Sequence, residues 1–200
     1  MNIAANFNWR SRLSSAQHPP RRTFARSFCF LVLFAAPLCS AQTPQPTDSQ
    51  VKAAYLYNFG KFVTWPASGA EVFQICILGK DPFGRVLDST VTGESIDGKK
   101  ITVQRISRVQ EGAGCNILFV STSEESRLPA ILVEAQRMHI LTVSDMPHFA
   151  ERGGTIGLVN QQGRVRFEVN LKMAEQTHLL LSSELLKVAI RVIQSKPAGT

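Results

Sequence analysis

The 200-residue chain has no acidic residue before Asp48. Arg10, Arg12, Arg21, Arg22 and Arg26 therefore stand unopposed in the first 41 positions. They precede "SFCFLVLFAAPLCSAQ", an apolar run that ends in small residues. A basic opening, a short apolar stretch and a small-residue exit are the pattern of a secretory signal peptide, with cleavage expected near Ala41. Pro37 interrupts the run too early for a membrane span. "RRTFAR" loosely resembles a twin-arginine signal, but the strongly apolar core favours the general secretory route. Cys39 follows Leu38, where a lipoprotein signal needs a small residue.

A strong basic excess is also missing once that segment is set aside. The whole chain carries +7, but without the five signal arginines 17 basic residues face 15 acidic ones, a net +2. No dense basic stripe appears, so nucleic acid is not an expected partner. The chain lacks an internal repeat, a low-complexity tract and a second linker. The expected division is a signal over 1–41, a polar leader over 42–48, one domain over 49–194 and a loose tail over 195–200.

Motifs for chemistry are scarce. GxSxG and HExxH do not occur, and no histidine has a second ligand at metal spacing. "LGKDPFG" follows a strand, but it lacks the phosphate-loop spacing, and Asp81 would repel a phosphate from the helix start. His139 opens a strand, His148 follows Pro147, and His178 lies near a helix break. No catalytic residue, cofactor or metal is expected. Arg166 and His178, near Lys172, are the candidates for holding an anionic small molecule.

What is present is alternation of strand and helix. "VKAAYLYNFGKFVTWP" (51–66) has Val51, Ala54, Tyr55, Phe59, Phe62 and Val63 near helical spacing. Asp48 or Ser49 is the expected cap, and Pro66 the stop. "VFQICILG" (72–79) is a buried strand. Asp81 and Pro82 predict a helix start. "KKITVQRIS" and "CNILFVS" (115–121) are strands. A helix follows, its capping box formed by Ser121 with Glu124 or Thr122 with Glu125. "HILTVSD" (139–145) is a strand, and "MPHFAERGG" a short helix. Residues 154–170 form two strands around Gln161–Gly163. The end, from Leu171, is helical with a break at Ser182–Ser183. The expected fold is α/β: a layered α/β/α single domain with a mainly parallel sheet and a late antiparallel hairpin.

Cysteine is sparse, and only Cys76 and Cys115 remain after the signal. In an exported protein such a pair can close a disulfide, and first and third strands are neighbours in the usual doubly wound order. Two buried free thiols are the other reading. The aromatics Tyr55, Phe59, Phe62 and Trp65 are either core residues or a partner-binding face.

Taken together, "VKAAYLYNFGKFVTWP", "FQICILGKDPFG", "CNILFVS", "ILTVSD", "GGTIGLVNQQGRVRFEVN" and "LLLSSELLKVAI" resemble the YfiR family of periplasmic proteins over roughly residues 50–192. The resemblance implies a non-catalytic periplasmic regulator, as in the family's best-known member, a repressor of an inner-membrane diguanylate cyclase that acts on the enzyme's periplasmic sensor region. It further implies lowered cyclic di-GMP signalling and biofilm formation, release by an outer-membrane lipoprotein, and a homodimer. Cys76 and Cys115 match one family disulfide. A second bridge of that precedent has no counterpart here, because Asp145–Gly157 contains no cysteine. The alternative is a periplasmic small-molecule-binding module that reports to a membrane sensor such as a histidine kinase.

Overall fold

Thr47, not Asp48 or Ser49, opens the first helix. Its hydroxyl accepts from the Gln50 amide, while its own amide donates to Gln50 Oε1 at 2.7 Å, a capping box in the computed structural model, which describes residues 45–66 and 69–194. The signal over 1–41 and the tail over 195–200 lie outside the described residues. Helix α1 spans Asp48–Phe62 and buries Ala53, Leu56, Phe59 and Gly60. The buried stripe is thus rotated from the sequence expectation, leaving Phe62 outside. β-Branched Val63 and Thr64 then become strand β1, so the helix ends before Pro66 can act.

Strand β2 (Val72–Leu78) leads to helix α2 (Arg85–Val91). The expected start at Asp81 and Pro82 is displaced. Asp81 instead accepts from the Phe83 amide at 2.7 Å and from Arg105 at 3.0 Å, which commits it to a turn. Strands β3 (Ser95–Ile96) and β4 (Lys99–Ile106) form a small hairpin about Asp97–Gly98. A 3-10 turn over Val109–Gly112 precedes β5 (Ile117–Val120), so Cys115 stands before that strand, not in it. The capping box expected after β5 does not form. Ser121 accepts from the Ser123 amide, a 3-10 segment covers Thr122–Arg127, and helix α3 occupies Leu128–Arg137.

After β6 (Leu141–Ser144), the expected short helix at 146–154 is a chain of turns. Strands β7 (Ile156–Gln161) and β8 (Arg164–Asn170) make the antiparallel hairpin about Gln162–Gly163. The C-terminal region is not one broken helix. It divides into α4 (Leu171–Gln176), β9 (Leu180–Leu181), α5 (Ser183–Val188) and β10 (Arg191–Ile193). Ser182 caps α5 as expected, accepting from the Leu185 amide at 3.2 Å. Tertiary pairing overrides local helix preference here: β9 pairs antiparallel with β1, and β10 pairs parallel with β8.

The eight-stranded sheet has the order β10-β8-β7-β6-β5-β2-β4-β3, parallel from β4 through β7. Period-2 alternation in β2 divides it between two cores. Phe73, Ile75 and Ile77 meet residues of α1, α2, α4 and α5; Cys76 and Leu78 meet those of α3. The layered α/β fold with a mainly parallel sheet and a late hairpin is what the described residues adopt.

On the α3 face, Gly154 lies against the ring of Phe149, itself fully buried. A Cβ at Gly154 would overlap three ring atoms. Gly154→Ala is expected to lower stability by about 1–3 kcal/mol, the usual cost of overpacking, measured by chemical denaturation.

Candidate functional site

The chain passes from β4 on one side of β2 to β5 on the other, so the carboxyl ends of β2 and β5 form the topological switch point where doubly wound proteins hold ligands. Beside it, Leu78, Arg127 and α3 line an open cavity of about 640 Å³, whereas the backbone at Gly79 itself is closely packed. Gly79 closes β2 with φ of 86°, and a side chain at that position would collide with Ser123 Oγ and the Glu124 side chain. The Lys80 amide donates to Ser123 Oγ at 3.0 Å, and buried Glu124 pairs with Arg127.

Next to it, Lys52 of α1 reaches Asp145 at the end of β6, at 2.8 Å, and Asp48 at 3.2 Å. Burial alone would push this ammonium down. The hydrogen bonds and charges of Asp145 and Asp48 outweigh it and hold Lys52 above its ordinary value. Ser49 and Lys52 have the spacing of a Ser-x-x-Lys pair, which the reading of the sequence passed over. A lysine kept protonated by two carboxylates does not serve as a base for that serine.

A second charged group lies at the edge of β4. Arg105 makes a two-pronged bond to Asp88 at 2.8 and 2.5 Å, meets Asp81, and donates to the Gly84 carbonyl at 2.7 Å. These bonds raise Arg105 and lower Asp88. They tie β4 to α2 and to the turn before it, a structural task.

The aromatics of α1 separate. Phe59 is fully buried and belongs to the core, stacked on Tyr55 at 5.6 Å and edge-on to Phe167 at 5.2 Å. Tyr55 is half-buried and donates to the Val165 carbonyl. Trp65 is half-buried, edge-on to Phe73 at 5.0 Å, with its indole N–H on the Asn116 carbonyl at 3.1 Å. Only Phe62 of the four is exposed.

Phe62 does not stand alone. The Ser182 amide donates to its carbonyl, and β9 pairs with β1 directly beside it. Phe62 and Val188 line one groove of about 380 Å³ between α1 and α5, with Tyr55, Phe167 and Leu185 on its walls. Among the described residues, four of the six exposed large apolar side chains sit on these same segments, Phe62 at 41%, Leu180 at 70%, Val188 at 63% and Ile190 at 41% accessible, while Val72 and Val133 lie elsewhere. Leu180, Val188 and Ile190 were not singled out from the sequence. Their signal, an unbroken Leu179–Leu181 run flanking a serine break, looked like helix core.

Cys76 and Cys115 are joined, with Cα atoms 5.9 Å apart. Arg166 and His178 stand on different elements, in β8 and after α4. Arg166 is exposed in β8 opposite Val159, whereas the His178 ring lies 5.2 Å from that of His139. Among the described residues no group of three or more His, Cys, Asp and Glu side chains is placed to hold a metal ion.

The arrangement defines a doubly wound α/β domain with an open cavity beside α3 and a second, apolar groove between α1 and α5. A conserved domain protein from Vibrio cholerae O1 biovar El Tor shares the fold, with a TM-score of 0.53 and 12% identity over 73% of this chain and 60% of that one. The ABC domain in complex with L-Trp from Streptococcus pneumonia is also similar, with a TM-score of 0.49 and 13% identity over 72% of this chain and 60% of that one. The chain thus spans about 60% of the length of these solved structures. No curated protein matches it significantly. A family model described as YfiR/HmsC-like matches residues 49–190, and the chain belongs to that family. The family is one of periplasmic, non-catalytic regulators linked to cyclic di-GMP signalling.

Proposed function

We propose that the protein is a periplasmic repressor that binds the periplasmic sensor region of an inner-membrane diguanylate cyclase and lowers cyclic di-GMP and biofilm formation. The observation that carries this reading is the exposed apolar corner of Phe62, Leu180, Val188 and Ile190, in a chain of a regulatory family. Large apolar side chains left this open on a small domain mark an interaction surface. The sensor is held inactive because the repressor binds its inactive arrangement more tightly, and such a shift requires differential affinity. An outer-membrane lipoprotein that covers the same corner releases the cyclase, and a second copy of the chain is a further occupant. The alternative is a small-molecule module reporting to a sensor such as a histidine kinase, for which the cavity of about 640 Å³ beside Leu78, Arg127 and Glu134 is the candidate pocket.

Deleting the gene in its host is expected to raise cyclic di-GMP. Complementation with the unaltered chain restores the low level, and complementation with Phe62→Asp plus Val188→Asp does not. Equal complementation by both chains removes this corner from the mechanism. An unchanged cyclic di-GMP level after deletion removes the cyclase.

A further inference from the structure

His139 and His178 both occupy the left-handed region, with φ of 57° and 58°, a conformation that is uncommon outside glycine. Each closes a helix. The His139 amide donates to the Gln136 carbonyl and the Ile140 amide to that of Ala135, both at 3.1 Å, at the end of α3. The His178 amide donates to Glu175 at 3.0 Å and the Leu179 amide to Ala174 at 2.9 Å, at the end of α4. These paired bonds are the double closure of a helix C-terminus, so backbone bonds fix where each ring begins.

The two rings, from helices far apart in sequence, lie 5.2 Å apart between centroids and are both on exposed residues. His139 Nδ1 is 3.1 Å from the Thr177 carbonyl. A carbonyl only accepts, so Nδ1 carries the proton and Nε2 keeps its lone pair. An imidazole oriented by donating its other nitrogen to a backbone carbonyl is the arrangement found behind metal-bound histidines. Two imidazoles bound at ~2.0–2.1 Å to one tetrahedral ion have centroids about 5 Å apart.

We propose that His139 and His178 together bind one divalent transition-metal ion of the imidazole-preferring class, Zn²⁺ or Cu²⁺, through Nε2. Water fills the positions that the two side chains leave, which makes the ion exchangeable rather than structural. Neutral imidazole selects these ions over Mg²⁺ and Ca²⁺, which take oxygen ligands. The bound ion clips the turn after α3 to the turn after α4.

The test uses untagged protein purified from its host, titrated with Zn²⁺ and with Cu²⁺ by calorimetry, and with Zn²⁺ by NMR of the histidine rings. One ion per chain is expected, with the ring signals of His139 and His178 shifting together. His139→Asn and His178→Asn each weaken binding at least about 100-fold, more than loss of a supporting group costs. Asparagine tolerates the left-handed region, so both turns persist. His148, bonded to Glu151 at 3.1 Å, is the control, and His148→Asn leaves affinity unchanged. Four results overturn the proposal: movement of only one of the two rings, undiminished affinity in either variant, equal loss in His148→Asn, or one ion per two chains.

Discussion

Replacing Cys76 and Cys115 together by alanine lowers the stability of the domain by about 4 kcal/mol. The bond closes a loop across a sequence separation of 39 residues, and the chain-entropy model assigns a cross-link of that span about 4 kcal/mol, by restricting the unfolded chain. The two sulfurs also fill space. Cys76 is fully buried and Cys115 nearly so, in the core that includes Leu78, Ile106, Leu118 and Ile140. For a domain of this size 1 kcal/mol moves the midpoint by about 2–4 °C, so the loss is on the order of 10 °C. Thermal unfolding of the unaltered protein with and without a strong reductant checks the cause. Reduction should bring the unaltered protein close to the alanine pair and leave the alanine pair unmoved. A reduced protein that melts with the oxidised one would show that the cross-link is not what holds this core.

The disulfide shows which parts of such a structure can be read ahead of time. Cys76 sits in an apolar run that could only be a buried strand, and Cys115 lies just ahead of another. Adjacent parallel strands are the common outcome for the first and third of a doubly wound sheet. The same reasoning located β2, β4, β5, β6 and the β7–β8 hairpin, because each combines β-branched residues with turn residues at its ends. Elements that depend on distant partners were less legible. Val63–Thr64 and Leu180–Leu181 are two-residue strands that exist because they pair with each other. No local pattern of that length distinguishes strand from helix end. Asp81 looked like a helix cap, yet Arg105, from another strand, draws its second oxygen away. The Asp97–Gly98 dipeptide was a readable hairpin signal for β3 and β4 that went unused.

The candidate surface was less legible than the fold, for a related reason. An exposed apolar residue and a buried one are spelled identically, and only the rotation of α1 against the sheet decides which is which. Burial of Ala53, Leu56, Phe59 and Gly60 fixes that rotation and turns Phe62 outward. The histidines carry the same lesson. His139 and His178 have no mutual spacing to notice, and their proximity arises from two helix ends converging in space.

Phe59 and Phe62, three residues apart on one helix, should therefore respond in opposite ways to truncation. Phe59→Ala is expected to cost about 3–5 kcal/mol, since the ring is fully buried and the cavity left between Tyr55 and Phe167 is bounded by aromatic groups that collapse poorly. The edge-on contact with Phe167 adds to the loss, because such aromatic pairs contribute about 0.5–1.5 kcal/mol beyond the area they bury. Phe62→Ala removes a ring that is 41% accessible, and should cost less than about 1 kcal/mol. Urea unfolding curves of the two variants, fitted with a common slope, give both numbers. The functional readout should reverse the order. At a temperature where both variants remain folded, Phe62→Ala should lose capture of the sensor region, while Phe59→Ala should retain it. If Phe62→Ala instead destabilises as much as Phe59→Ala, the helix is turned differently from the structure and the apolar corner is part of the core.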